Sequence, residues 1–187
     1  EIGLSTRQQS SLSLSTILPR IDKKAEQPNA EAEDAHLAAL DLTSRLLADL
    51  VFRKLRLENS WCYGAGAGSC VCADYLGFNM GGSIDPAHVD EAIGILWGIV
   101  DDVHAANDEI KGDFEKTKTL AIDNLMAREL TTGSILESVV EGIKLNGEIM
   151  PLKKWLLLIA DVEFEDVQKI VKTYLAKDKV FTEIVRP

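Results

Sequence analysis

The stretch Arg56-Leu-Glu-Asn-Ser-Trp-Cys-Tyr63, running straight into Gly64-Ala-Gly-Ala-Gly68, is where the chain changes its period. Upstream, from Ala32 to about Leu57, the apolar residues Leu37, Leu40, Leu47, Leu50 and Val51 fall on one face of a 3.6-residue helix. Downstream, Leu76, Phe78 and Met80 alternate with Gly77, Asn79 and Gly81, the two-residue period of a strand. Asn59 and Ser60 break the helix. The stretch is therefore a helix-to-strand corner, and a chain that makes this switch belongs to neither the all-helical nor the all-β class.

Working outward from the corner gives the remaining elements. Ser10 to Leu18 alternates Ser and Leu and reads as a half-buried strand ended by Pro19. Residues 20–33 are charged, carry Pro28 and Asn29, and read as a mobile loop. Trp61–Ser69 and Val71–Ser83 read as antiparallel neighbours. Asp85-Pro86 starts a helix, because Asp caps and Pro is tolerated at the first helical position. That helix carries the stripe Val89, Ala92, Ile93, Leu96, Val100 and Val103. Asn107 or Asp108 caps the next one, with Ile110, Phe114, Ala121, Ile122 and Leu125. Thr131 to Ser134 opens a further helix through Ile135, Leu136, Val139, Val140 and Ile143, stopped by Asn146-Gly147. Leu152–Ile159 and the segment from Asp161 through Tyr174 are helical, and Lys179–Val185 closes as a strand. The order β-α-β-β-α-α-α-α-α-β predicts an α+β fold: one mixed, largely antiparallel sheet covered by helices, as a single domain over residues 1–187.

Composition narrows the function. The net charge of −10, from 20 basic and 30 acidic residues, argues against a face built for nucleic-acid phosphates. A local basic turn remains at Arg53, Lys54 and Arg56. No apolar run approaches the roughly 18 residues of a membrane span. The start, Glu-Ile-Gly-Leu-Ser, lacks Met and an apolar leader core, so the chain reads as a processed product or part of something longer. Compartment stays open among bacterial envelope, cytoplasm and mitochondrion. The odd set Cys62, Cys70 and Cys72 argues against a disulfide framework, and C-x-C without further thiols does not make a structural zinc site.

Several patterns resemble catalytic motifs without completing them. Gly64-Ala-Gly-Ala-Gly68 has the wrong spacing for a dinucleotide loop and precedes a strand. Its small residues suit close backbone approach, including an extended peptide along a sheet edge. His88-Val-Asp-Glu-Ala92 lacks the second histidine of a zinc helix, and His36 and His104 are isolated. Arg56 and Tyr63 remain. One reading makes them a surface arginine and a core tyrosine. The other aims guanidinium and phenol donors into one cleft, where they hold a peptide carbonyl and stabilise the oxyanion formed on attack. Asn79, Gly81 and Gly82 are secondary candidates.

The corner resembles that of the later, non-zinc-binding domain of the insulinase/pitrilysin family of zinc metallopeptidases, which includes the mitochondrial processing peptidases. There a helix ends in Leu-Arg-Glu and a short turn leads to Ala-Tyr-Ser or Thr-Tyr-Gly. Leu55-Arg56-Leu57-Glu58 and Cys62-Tyr63-Gly64 match, with the same spacing of seven from Arg to Tyr. Asp85 to Ala92, Asn107 to Ile110, Phe114 to Lys118, Val162 to Leu175 and Phe181 to Pro187 resemble later family segments in the same order. The family's zinc-binding H-x-x-E-H is absent, Leu57 replaces an acidic residue, and Asn59-Ser60-Trp61 replaces a Gly-containing turn.

The resemblance implies a metallohydrolase-like fold and a substrate-binding half of a zinc metalloendopeptidase, inactive alone. It implies zinc in an N-terminal catalytic half, on the same polypeptide or a separate subunit, and none bound by this chain. Arg56 and Tyr63 would grip the backbone of a peptide or unfolded-protein substrate. The alternative is an inactive scaffold of the same fold, like the core proteins of a respiratory complex; a weaker one is a free-standing peptide-binding module. A homo-oligomer is compatible with all three.

Overall fold

The computed structural model describes residues 8–19, 30–72, 75–128, 132–133, 135–136, 139–140, 143 and 151–187. Four strands, β1 (Ser10–Pro19), β2 (Cys62–Val71), β3 (Tyr75–Ile84) and β4 (Phe181–Val185), form one sheet in the order β2-β3-β1-β4. Every pairing is antiparallel. Five described helices accompany it: α1 (Ala30–Phe52), α2 (Val89–Ala105), α3 (Asp108–Arg128), α4 (Leu152–Asp161) and α5 (Phe164–Tyr174). The α+β expectation of one helix-covered sheet holds.

Alternation decides which face of the sheet the helices take. Leu12 and Leu14 of β1 and Leu76, Phe78 and Met80 of β3 are buried, and their registers, Leu14 opposite Met80 and Leu12 opposite Gly82, put them on one side. Each such leucine contributes about 1.5–3 kcal/mol by leaving water. The odd-numbered residues point the other way. Ser11, Ile17, Asn79 and Ser83 are exposed, and Ser13 and Ser15 bond to each other through their hydroxyls at 2.8 Å. The sheet thus has one leucine-rich covered face and one hydroxyl- and glycine-rich open face.

Helix α1 runs under the sheet and touches β2, α3, α4 and α5, which makes it the hub of the core. It buries Leu40, Leu42, Leu46, Leu47, Leu50 and Val51. Its buried Thr43 and Ser44 cost little, because each hydroxyl donates back to the carbonyl four residues earlier, Ala39 at 2.7 Å and Leu40 at 2.8 Å. Lys154 of α4 bonds the buried Asp34 carboxylate of α1 at 2.6 Å.

Helix starts follow their predicted chemistry. Asp85 accepts from the Ala87 N–H at 2.9 Å and opens a 3-10 turn, Pro86–His88, before α2. Asn107, rather than Asp108, caps α3 by accepting from the Ile110 N–H at 2.9 Å. Glu163 and Asp166 form a reciprocal capping box at α5.

Several boundaries move. The strand expected over Val71–Ser83 is instead split: β2 runs on to Val71, and Cys72 turns to bond Tyr75, N–H to carbonyl at 2.9 Å, before β3 begins. The loop expected over 20–33 is shorter at its end, since Ala30 to Glu33 are already helical; Arg20 to Asn29 lie outside the described residues. Of the helix expected after Ser134, Ile135, Leu136, Val139, Val140 and Ile143 are helical, and the remainder lies outside the described residues. Its stripe is not core: Ile135, Leu136, Val140 and Ile143 are exposed.

Candidate functional site: a braced helix-to-strand corner

The corner between α1 and β2 is not an ordinary helix end. After Phe52 the last turn widens into a π-helix, Arg53–Glu58. Single π turns of this kind recur at functional sites because they rotate the residues they carry out of the α-helical register. Two bonds close the widened turn: the Asn59 amide donates to the Lys54 carbonyl at 2.8 Å, and the Trp61 N–H to the Leu55 carbonyl at 3.1 Å. Ser60 takes a left-handed φ of 58° to turn the chain into the strand.

The entry to β2 carries a second irregularity. Cys62 pairs with Ile84 and Ala65 with Gly82, so the register shifts by one residue between them. That is a bulge at Tyr63-Gly64, and bulges re-aim side chains. Cys62 stays buried, whereas Tyr63 stands out at 83% exposure.

Together the π turn and the bulge bring Arg56 and Tyr63 face to face. The Arg56 guanidinium carbon lies 5.2 Å from the centre of the Tyr63 ring, a cation–π contact. Burial pushes the Cys62 thiol above its ordinary value, and the nearby Arg56 charge opposes that rise. Among the described residues no carboxylate pairs with Arg56. A guanidinium resting on a ring face still has edge N–H donors available for a planar acceptor.

Three contacts brace the corner from below. The Arg53 guanidinium bonds the buried Asp113 carboxylate of α3 at 2.6 Å. Burial pushes the Asp113 carboxyl up, but the hydrogen bonds from Arg53 and from Lys116, at 3.2 Å, outweigh it and hold it below its ordinary value. The Asp85 N–H donates to the Trp61 carbonyl at 2.8 Å, and the Trp61 ring stacks on His88 at 4.6 Å, 7° from parallel. Nothing in the sequence marks these partners. The Trp-His stack joins residues from separate elements, and π turns have no composition signal. Only Asn59-Ser60 hinted that the helix end was unusual.

Immediately after Tyr63 the open face of the sheet forms a shallow groove of about 470 Å³. Gly64, Gly66 and Gly68 of β2, Asn79 and Gly81 of β3, and Ser13 of β1 line it. The secondary candidates Asn79, Gly81 and Gly82 therefore converge on one surface with the glycine-rich stretch. Gly81 has φ 151°, and a Cβ there would strike the Leu12 carbonyl oxygen. A Cβ on Gly82 would strike the Gly64 carbonyl oxygen, so neither of these two positions admits a larger residue. β2 is also an edge strand, as an extended peptide along it would require. Among the described residues no three metal-ligating side chains come together, His88 lying 4.0 Å from Glu91 with no third group, and no helix is long and apolar enough to cross a membrane.

Comparison with solved structures places the fold in a class, that of the domains of M16-like peptidases. An M16-like peptidase from Alicyclobacillus acidocaldarius superposes with a TM-score of 0.80 at 13% identity, over 97% of this chain and 41% of that one. The inactive peptidase domain of a zinc protease from Bordetella parapertussis gives 0.71 at 14% identity, over 97% and 95% of the two chains. A chain of complex III2 from Candida albicans gives 0.70 at 11% identity, over 96% and 43%. No family model and no curated protein matches the sequence. The likeness thus defines the fold, and this chain spans about two fifths of the length of the Alicyclobacillus peptidase.

Proposed function

We propose that this chain is the substrate-binding half of a zinc metalloendopeptidase, whose catalytic zinc is held by a second, similar half on the same polypeptide or a separate subunit. The observation that carries this reading is the Arg56–Tyr63 pair: stacked at 5.2 Å, with the tyrosine exposed, unpaired with any described carboxylate, and one residue ahead of the side-chain-poor groove that begins at Gly64. Arg53, on the same turn, is by contrast tied to the Asp113 carboxylate.

The chemistry follows from the residue types. An extended peptide lies in the groove, where missing side chains let backbone approach backbone. The guanidinium and phenol donate to a peptide carbonyl near the scissile bond, and their bonds shorten and strengthen as that oxygen becomes anionic. Zinc in the other half supplies the activated water. The matching domain length of the Bordetella domain, itself described as inactive, agrees with a half that does not cut alone.

The inactive-scaffold reading has its own support in the likeness to a complex III2 chain, so the test must separate the two. The chain is assembled with a zinc half carrying H-x-x-E-H and assayed for peptide cleavage, as wild type and as Arg56→Ala. The substrate-binding reading expects cleavage that falls on the order of 100-fold in the variant, the cost of one oxyanion donor. Equal turnover by both refutes the role given to Arg56, and none by either under conditions where the halves associate supports the scaffold.

A further inference from the structure

The open face of the sheet changes character along its length. Near the corner it offers backbone and little else: Gly81 lies between Gly66 and Ser13, and Asn79 between Gly68 and Ser15. Such a floor can approach and bond a peptide backbone, yet it has little with which to tell one side chain from another. Farther along, the same face turns apolar. Ile17 is 66% exposed and Phe181 69%. Phe181 is opposite Ser15, and Ile17 follows Ser15 by two residues, so both project on the open side as diagonal neighbours. Ile17 is opposite Gly77, and Gly77 is opposite the exposed Cys70. The Cys70 sulfur leans over that bare glycine, 2.6 Å from where a Cβ would stand. Tyr75, 44% exposed and opposite Pro19, is the diagonal neighbour of Ile17 on its other side. A solvated antiparallel face ordinarily carries polar residues, and contiguous exposed apolar side chains mark a contact site.

We infer that Ile17, flanked by Phe181, Tyr75 and the Cys70 sulfur, is the centre of an apolar subsite that takes one aliphatic or aromatic side chain of the bound peptide. The subsite rests on the substrate-binding role proposed above and adds to it a class of substrate: peptides with an apolar residue at a fixed distance from the cut. Continuity with the groove identifies the occupant. The Cys70–Gly77–Ile17 rung comes directly after the Gly68–Asn79–Ser15 rung, whose Gly68 and Asn79 line the groove, so an extended peptide reaches it without turning. From Tyr63 to Cys70 the strand rises about 23 Å, at about 3.3 Å per residue. A peptide held at the corner therefore presents to Ile17 a side chain about six or seven residues from the scissile carbonyl. A side chain two residues nearer the corner meets only glycine and Asn79, so a single position is read.

The experiment uses the whole chain assembled with a zinc half, and a Ser/Gly-rich peptide with one fixed scissile bond along which a single leucine is moved stepwise to either side. kcat/KM is expected to rise about 10-fold, through KM, at a position about six or seven residues from the bond. Combined Ile17→Ser and Phe181→Ser should remove that gain, and Phe181→Leu should keep it. A photoreactive leucine analogue at the same position should label Ile17, Tyr75 or Phe181, a readout that needs no turnover. Arg56→Ala separates the two levels. Unchanged cleavage in that variant refutes the substrate-binding role itself, whereas reduced cleavage beside a flat leucine scan overturns the subsite alone. Labelling confined to other residues, a gain that survives the double variant, or self-association of the chain that the double variant abolishes would each overturn the inference.

Discussion

Arg56 and Arg53 are three residues apart on the same π turn, yet they have opposite tasks. Arg53 is tied to Asp113, while the half-buried Arg56 rests on the exposed Tyr63 ring. At this scale the account predicts how little substitution Arg56 tolerates. In the assembled peptidase Arg56→Lys should recover less than a tenth of the lost kcat/KM, because an ammonium is a point donor without the planar fork. Tyr63→Phe removes one donor and keeps the stack, so its loss should be smaller, about 10-fold, measured on the same peptide.

The braces respond to pH in a direction fixed by their shifts. Asp113 has a folded value below its ordinary 3.8. Its contribution is present above that value and is lost as pH falls through the lower folded one. Burial lowers His36, against the opposing charge of Glu33, below 6.5, and its ring packs edge-on to Tyr174 at 5.7 Å. Unfolding lets His36 take up a proton, so stability falls as pH drops from about 6.5 towards the folded value. Denaturant titrations should therefore show stability declining in two acid steps. His36→Phe should flatten the upper step, and Asp113→Asn should reduce the lower one, which the similarly lowered Asp166 shares, while costing about 2 kcal/mol at pH 7.

Among the elements, α1 and β3 show how far periodicity reaches. The leucines of α1 and the Leu76-Phe78-Met80 alternation stand in the sequence as 3.6- and 2-residue patterns, and both describe faces that are buried. Ile135, Leu136, Val140 and Ile143 have the same helical spacing and are helical, yet they lie exposed. Apolar periodicity says which residues share a face; it does not say whether anything covers that face. The hairpin boundary slipped for a different reason. Val71 is a good strand former on either side of a turn, and it belongs to β2 rather than to the next strand.

The glycines of the groove make a prediction proper to the sheet. Gly81→Ala should cost more than about 2 kcal/mol, because φ 151° and the Leu12 carbonyl both oppose a Cβ. Gly64→Ala meets nothing within 4 Å and should change stability by under about 1 kcal/mol. Thermal or denaturant midpoints of the two variants check the contrast.

For the molecule as a whole, the sequence made the α+β architecture legible through element order, and the likeness to M16-like peptidase domains agrees with it. The corner was legible as a spacing of seven between Arg56 and Tyr63. Its bulge and its braces were not, because they arise from contacts between elements far apart in sequence, and its π turn was not, because π turns have no composition signal. At this scale the sheet's polar open face expects a counterpart. The isolated chain should bind no zinc tightly and cleave no peptide, whereas its complex with a zinc half should do both, as zinc content and peptide turnover can measure.

The most direct measurement is a double-mutant cycle on kcat/KM for peptide cleavage by the assembled enzyme, using Arg56→Ala, Tyr63→Phe and both together. If guanidinium and phenol clasp the same carbonyl, the double variant should lose much less than the product of the single losses, a coupling of about 1 kcal/mol or more. Losses that multiply independently, or single variants indistinguishable from wild type, would contradict a shared clasp at the corner.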